Sequence, residues 1–153
     1  MKTSTNDGVL LLGRAFICWI FLYSSFSQAT EFAPNVSHVA SAGMPFPQLA
    51  IMTSIAIQAI CGLGILFGFR IRIMAWIMFA FLIPTTIVLH KFWGLPSPHL
   101  QEIQFFKNMA IMGGLLLATQ SHAGAYSVDA LLERDSSGRS LFAKQQPSLR
   151  ESR

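Results

Sequence analysis

The chain has 153 residues, of which 52% are hydrophobic and only 12% are charged. Soluble proteins carry about 25% charged residues, so this chain has too few charges to cover a surface that faces water. Its formal charge of +4 comes without a basic patch interleaved with aromatic residues, which argues against nucleic-acid binding. The length favours one domain, and we expect its main surroundings to be membrane lipids.

Four long apolar runs follow one another along the chain, at about residues 8–29, 46–69, 73–90 and 103–121. Each run could cross a hydrocarbon core of about 30 Å as a helix that rises about 1.5 Å per residue. Because backbone groups in lipid must bond to one another, the runs should be helices rather than irregular chain. The sequence thus predicts an all-α fold, a polytopic membrane four-helix bundle within residues 1–125, followed by a polar, mostly disordered tail at 126–153. Within that tail, a short interfacial helix can form near Val128–Leu132.

The basic residues predict how the chain is oriented. Lys2, Arg70, Arg72 and the tail fall on one side of a four-pass chain, whereas the first long loop, about residues 30–45, has no Lys or Arg. By the positive-inside rule, both termini should be cytoplasmic, in a bacterial inner membrane. The segment Ser27-Gln28-Ala29 has the small-x-small form of a signal-peptidase site, but the length of the run and the charge of Arg14 favour an uncleaved first helix.

The first helix carries a stripe of polar and small residues that should face the other helices. The stripe recurs at steps of four and three and consists of Arg14, Cys18, Phe21, Ser25 and Gln28. Arg14 has two interpretations. It can be a topology anchor whose side chain extends to the headgroups, or a cation in a cavity that binds an anionic or quinone-like oxygen.

The second helix has a matching stripe, consisting of Ser54, Gln58, Cys61, Ile65 and Gly68. Its polar members can serve as hydrogen-bonding contacts between helices or can line a site. Cys18 and Cys61 lie at similar depths, so they are either a redox-active pair or two small buried hydrophobic residues.

Small residues recur at spacings of four and predict close helix contacts, within one subunit or in a homo-oligomer. These packing candidates are Gly64, Gly68, Ala110, Gly114 and Ala118. Pro84 should kink the third helix, and the hydroxyls of Thr85 and Thr86 could satisfy carbonyls that the kink leaves free.

The richest cluster of reactive side chains lies where the third helix ends and the fourth begins. It consists of His90, Trp93, Lys107 and Asn108. Trp93 can be an ordinary interfacial anchor. His90 could exchange protons near neutral pH and Lys107 could hold an anion, so both are candidates for a cavity or a quinone site.

Several motifs, in order along residues 10–130, resemble those of the DoxX family. They are Ala42-Gly43-Met44-Pro45-Phe46-Pro47, Leu66-Phe67-Gly68-Phe69-Arg70-Ile71-Arg72, Leu89-His90-Lys91-Phe92-Trp93, Phe105-Phe106-Lys107-Asn108 and Tyr126-Ser127-Val128-Asp129. The resemblance implies a small four-helix inner-membrane protein. The family's name comes from a quinol oxidase or thiosulfate:quinone oxidoreductase system, and some members belong to oxidative-stress complexes. Arg14, His90 and Lys107 match recurring family positions, whereas Gln28 and Gln58 replace residues that are often Lys and Glu, which argues against a proton relay through Gln58.

Three functions remain open from the sequence. The leading hypothesis is an accessory subunit or membrane anchor of a quinone-linked or oxidative-stress redox complex, with a soluble or membrane oxidoreductase as partner. The alternatives are a small transporter or permease-like module and a structural or assembly factor of the cell envelope. No metal-ligand set, nucleophile elbow or phosphate-binding Gly loop occurs in the sequence, so we do not predict a metal or a catalyst that acts alone. No cofactor is evident from the residues, and a quinone is the candidate.

Overall fold

The computed structural model describes residues 5–95 and 97–134, and within these ranges the fold is all-helical. Its main helices, in chain order, are α1 (Thr5–Thr30), α2 (Phe32–Ser41), α3 (Pro47–Phe67), α4 (Ile71–Leu89) and α5 (His99–Gln120). This confirms the predicted all-α membrane fold.

Three of these helices, α1, α3 and α4, are long and apolar enough to cross a membrane. Their apolar spans are Asp7–Thr30, Pro47–Phe67 and Ile71–Leu89. Helix α5 has 22 residues, and it begins earlier than the predicted start at 103. Its first turns carry Glu102, Gln104 and Lys107, which make it more polar than the other three. That α5 also crosses the bilayer remains a prediction.

Helix α1 has two faces of opposite character. Its buried face is formed by Arg14, Cys18, Phe21 and Ser25. Its exposed face is formed by Phe16, Trp19, Tyr23 and Phe26, and Phe16 is 77% exposed. In water a row of exposed aromatic rings would promote association, whereas in lipid it matches the solvent. The buried stripe therefore faces the bundle and the aromatic face contacts the bilayer.

The helices form a chain of neighbours. Helix α1 packs mainly on α3, α3 on α4 and α4 on α5, whereas α1 and α5 touch only slightly. The buried core that joins them consists of Cys18, Phe21, Cys61, Ile65, Ile71, Ala75, Met78, Leu82, Leu115 and Ala123. The seam between α1 and α5 is thus a loosely packed boundary of the bundle.

A tight turn joins α3 to α4 at the end of the bundle that also holds both described chain ends. Gly68 ends α3 with φ of 67°, and the amides of Gly68 and Phe69 bond to the carbonyls of Ile65 and Gly64. This is the Schellman arrangement, which needs a residue that tolerates the left-handed region. Arg70 also has a positive φ of 45°, and both carboxylate oxygens of Asp129 accept from its amide, at 3.1 and 2.9 Å.

Helix α2 lies inside the segment at about residues 30–45, which the sequence predicts to be a loop, and that prediction is wrong. Pro34 does not prevent this helix, because it falls in the first turn, where its missing N–H group would have no partner within the helix. Its residues Phe32, Val36 and Val39 recur at helical spacing, and Val39 is buried. Helix α2 packs on α3 and closes one end of the bundle.

The first part of the predicted tail, residues 126–134, has a defined structure. Residues 128–134 are helical, and Ser127 is buried. The hydroxyl of Ser127 accepts from the amide of Ala130 at 3.2 Å, which caps this helix. The rest of the predicted tail, 135–153, lies outside the described residues.

We expect Gly68→Ala to lower the free energy of unfolding by about 2 kcal/mol, because Ala resists a positive φ and its methyl group would meet the Arg14 guanidinium and Ser127. The matched control is Gly113→Ala, since a methyl group at Gly113 would meet nothing within 4 Å. The control should be neutral or slightly stabilising. Unfolding of both variants in mild detergent, followed by circular dichroism, checks this, and equal stability of the two would contradict the role of Gly68.

Candidate functional site

A cavity of about 630 Å³ occupies the half of the bundle that α2 closes. All of the long helices contribute to its wall, together with the Met44–Phe46 segment between α2 and α3. Most of its lining is apolar. The polar side chains on the wall are Ser24, Gln28, Asn35, His38, Thr53, Ser54, Gln58, Thr85, His90, Lys107 and Asn108. The cavity therefore combines a mainly apolar lining with hydrogen-bonding side chains, as ligand pockets commonly do.

Two glutamines on the cavity wall have the same local arrangement. In α1, Nε2 of Gln28 donates to Oγ of Ser24 at 2.9 Å. In α3, Nε2 of Gln58 donates to Oγ of Ser54 at 2.7 Å. Each partner lies four residues earlier on the same helix face, which fixes the amide against its own helix. Gln58 is only 4% exposed, so its amide is held inside the bundle.

Asn108 joins α5 to α4 across the same cavity. Its Nδ2 donates to Oγ1 of Thr86 at 3.0 Å, and both side chains are buried. In lipid, the hydrophobic effect does not drive helices together, so interhelical polar contacts of this kind help to hold the bundle. The contact also places the Asn108 amide at the cavity wall.

His90 and Lys107 lie at the α2 end of the cavity. Nδ1 of His90 is 3.0 Å from Oε1 of Gln101, the second polar residue of α5. The ammonium of Lys107 donates to Oε1 of Gln104, one turn earlier. Each of the two basic side chains is thus positioned by a glutamine oxygen.

Pro84 lies within α4 and contributes to the cavity wall. Next to it, Oγ1 of Thr85 donates to the carbonyl of Phe81 at 2.9 Å. Thr85 therefore supplies a side-chain hydrogen bond in the turn where proline removes a backbone donor. Helix α4 stays continuous through this turn.

Arg14 lies away from the cavity, near the opposite end of the bundle. It is 5% exposed, and its NH2 group donates to the carbonyl of Tyr126 at 2.5 Å. Its Nε and NH1 are buried without a hydrogen-bond partner among the described residues. NH1 lies close to Gly68, where a side chain would collide with it. Arg14 therefore contacts the post-α5 segment instead of extending to the headgroups.

The carboxylates of Asp7 and Asp129 also hold the segment at residues 125–129. Oδ1 of Asp7 accepts from the amide of Ala125 at 3.0 Å. Asp129 bonds to the amide of Arg70, while its own amide donates to the carbonyl of Gly68. Residues 125–129 are therefore fixed to α1 and to the α3–α4 turn at once.

The other predicted site residues lie outside the cavity. Cys18 and Cys61 are both buried in the core, and Cys18 is 0% exposed. Trp93 is 54% exposed and makes edge-to-face contacts with Phe92 and Phe105. These aromatic rings form a cluster at the α2 end of the bundle, as expected of interfacial side chains.

The predicted small residues have different surroundings. A methyl group at Gly64 would lie 2.8 Å from Cγ of Met74, so this glycine permits close approach of α4. Gly114 lies opposite Ile17 of α1, and Ala118 packs against the core. Ala110 is exposed on the outer face of α5. It therefore makes no close helix contact within the described chain.

Sequence reasoning missed Asp7, Asp129 and Gln101 as positioning residues and Asn35 and His38 as cavity residues. Asp7 lies seven residues before Arg14 and so on the same helix face, which is a signal that could have been used. Asn35 and His38 were missed because α2 was treated as a linker. Within residues 5–95 and 97–134, no group of three His, Cys, Asp or Glu side chains could hold a metal ion.

The fold and the cavity define a small polytopic helical membrane protein with a partly polar cavity between its helices. The model of the DoxX family matches residues 9–91, which is more than half of the chain. The chain belongs to the DoxX family. The match includes α1 to α4 and ends before α5.

Curated relatives support this assignment. The chain is 28% identical over 123 residues to the inner membrane protein YphA of Escherichia coli K12, with 79% of this chain and 88% of YphA covered. It is 30% identical over 134 residues to the inner membrane protein YqjF of the same organism, with 88% and 98% covered. An uncharacterised protein of Caenorhabditis elegans, T02E1.7, is 32% identical over 68 residues, or 44% of this chain and 25% of that protein. No solved structure matches the chain significantly. The protein is a multi-pass inner-membrane protein.

We expect Arg14→Met to loosen residues 125–129, because the carbonyl of Tyr126 loses its donor. Amide hydrogen exchange at Ala125 and Asp129 should become at least about fivefold faster, the equivalent of one lost hydrogen bond of about 1 kcal/mol. Lys107→Met, which removes a charge from the other end, should leave exchange at these amides unchanged. Unchanged exchange in Arg14→Met would show that Arg14 does not hold the segment.

Proposed function

We propose that the protein binds a quinone-type amphiphile in the cavity and serves as an accessory membrane subunit or anchor of a quinone-linked or oxidative-stress redox complex. The observation that carries this proposal is the cavity of about 630 Å³ between the helices of a membrane bundle, with a mainly apolar lining and several polar side chains held by hydrogen bonds. The resemblance of the chain to a family named for quinone-linked systems agrees with it.

The size and the lining of the cavity suit such a ligand. Pockets for small organic molecules have volumes of about 300–1,000 Å³ and are lined mainly by apolar side chains. A quinone has a flat ring with two oxygens and an apolar tail. The oxygens need hydrogen-bonding groups, and the tail needs apolar surroundings. Gln58, Asn108 and His90 provide such groups on α3, α5 and α4. A ligand of this kind can also enter from the bilayer, where it is dissolved.

The side chains on the wall support an accessory role. Amide and hydroxyl groups can hold a ligand by hydrogen bonds, but they are not redox groups and do not transfer electrons. The redox chemistry would therefore reside in the ligand and in a partner oxidoreductase. The end of the bundle opposite the cavity offers a structured surface for a partner, because residues 125–129 are fixed to α1 and to the α3–α4 turn. We propose that this end is cytoplasmic, in accordance with the distribution of basic residues.

A transport module is the second candidate. It is favoured by Pro84 on the cavity wall and by the slight contact between α1 and α5, since both features ease a change of cavity shape. Transport would require movement of a ligand through the opposite end of the bundle. There Arg14 and residues 125–129 close the path with several hydrogen bonds. The binding role is therefore the better supported of the two.

We expect the protein, extracted gently from its own membrane, to retain a quinone-type molecule that mass spectrometry detects at near-stoichiometric amounts. Gln58→Leu and Asn108→Leu should each reduce the retained amount several-fold, since each removes a hydrogen-bonding group worth about 1 kcal/mol. Gln120→Leu is the matched control, because Gln120 is exposed at the far end of α5 and does not line the cavity.

Three other outcomes would contradict the proposal or change it. Absence of any bound quinone-type molecule from the wild-type protein, combined with failure of added quinone to raise its melting temperature, would contradict the proposal. Equal retention in Gln58→Leu, Asn108→Leu and Gln120→Leu would place the ligand outside this cavity. Flux of a solute through reconstituted vesicles, without bound quinone, would favour the transport module.

A further inference from the structure

The titratable side chains on the cavity wall are all basic. They are His38 on α2, His90 at the end of α4 and Lys107 on α5. Among the described residues, no Asp or Glu lines the cavity. Glu31, which precedes α2, and Glu102, in the first turn of α5, both lie outside its wall. The formal charge on the wall is therefore positive, and a positive charge beside apolar surroundings attracts an anion.

Neutral amides hold two of these basic groups. The ammonium of Lys107 donates to Oε1 of Gln104, and Nδ1 of His90 lies 3.0 Å from Oε1 of Gln101. A glutamate would supply a counter-charge at either position, whereas a glutamine supplies none, whichever way its amide is turned. No carboxylate in the described part of the chain forms an ion pair with Lys107. The charge of Lys107 is thus positioned by the protein but not balanced by it.

The ammonium of Lys107 is accessible to a ligand. The residue is exposed rather than buried, and it belongs to the cavity wall. An ammonium has three N–H groups, of which Gln104 engages one. The other two can donate to an anionic oxygen, and hydrogen bonds that involve charged groups are about twice as strong as those between neutral groups. A carboxylate or phosphate oxygen therefore gains more at this position than a carbonyl or hydroxyl oxygen does.

The apolar part of the wall suits an alkyl chain. Phe21 of α1, Ile51 of α3 and Leu82 of α4 are buried in the bundle and line the cavity. A small inorganic anion at Lys107 would leave this lining without contacts, whereas an alkyl chain would pack against it. The cavity thus matches a molecule that combines an anionic head with an apolar chain.

We propose that the cavity binds an anionic amphiphile, a single alkyl chain with a carboxylate or phosphate head, whose head is held by Lys107 with His38 and His90 beside it. This inference goes beyond the proposed function, because it assigns a second class of ligand to the cavity and does not depend on the binding of a quinone. Binding alone is involved, and the ligand undergoes no reaction.

The test compares three probes with the same alkyl chain, dodecanoate, dodecyl phosphate and dodecanol. Each is added to the full chain in a non-ionic detergent, and native mass spectrometry measures the bound fraction and the Kd. We expect at least one of the two anions to bind as a single molecule, at least about tenfold more tightly than dodecanol, since only the anions form charge-assisted hydrogen bonds with Lys107. The tighter of the two anions identifies the head group.

Two variants assign the binding to Lys107. Lys107→Gln should weaken binding of the preferred anion at least about tenfold and leave dodecanol unchanged. Gln104→Glu keeps the lysine but places a carboxylate one turn away, so it should weaken anion binding several-fold. Lys91→Gln is the matched control, because Lys91 is exposed and does not line the cavity, and it should keep the full affinity.

The opposite outcomes are distinct from those that bear on the quinone. Equal binding of dodecanol and both anions would overturn the inference, and so would equal anion binding by the wild-type protein and Lys107→Gln. An equal loss in Lys91→Gln and Lys107→Gln would also overturn it, because the effect would then come from the general charge of this end. If Lys107→Gln does not yield a monodisperse protein, full anion affinity in Gln104→Glu contradicts the inference. None of these results alters the amount of quinone that the wild-type protein retains, which tests the proposed function.

Discussion

Inside a bilayer, a polar side chain has to find its partner within the protein, because neither water nor lipid tails can supply one. This bundle meets the requirement with short, local pairs. Ser24 and Ser54 each hold a glutamine on their own helix, and Thr86 holds Asn108 across two helices. Each pair engages one N–H group of an amide and fixes that amide at the cavity wall. The same constraint that stabilises the bundle therefore also determines the chemistry of the cavity.

The two ends of the bundle use polar groups in opposite ways. At the end with the chain termini, Arg14, Asp7 and Asp129 bind backbone groups of segments that come together there. At the α2 end, the polar groups belong to the walls of a cavity, and α2 covers it without filling it. The helices are thus fixed at one end and stay apart at the other. This division places the cavity in one half of the bundle.

Much of this fold could be predicted from the sequence because apolar length and helical spacing reflect the same physics as the structure. The stripe from Arg14 to Ser25 is buried as its periodicity indicated. Helix α2 was missed because it is short and carries Pro34. Its few apolar residues at helical spacing predicted a helix less strongly than the proline predicted a loop. The sequence also grouped Arg14 with His90 and Lys107 as candidates for one kind of site. The structure separates them, because the partner of Arg14 is the backbone carbonyl of Tyr126, and a main-chain group leaves no trace in residue type.

The contact between Arg14 and Tyr126 joins residues 112 positions apart, and that between Asp7 and Ala125 spans 118. The segment that completes the surroundings of Arg14 is therefore synthesised after helices α1 to α5. Until it arrives, the first helix holds a guanidinium that would be buried without its acceptor, an arrangement that strongly destabilises a packed interior. The nascent protein would then keep the terminal end of α1 hydrated, and the bundle would close there only after residues 125–129 have been synthesised. In this chain, a single buried charge near the start makes final assembly depend on the residues that emerge from the ribosome more than a hundred positions later.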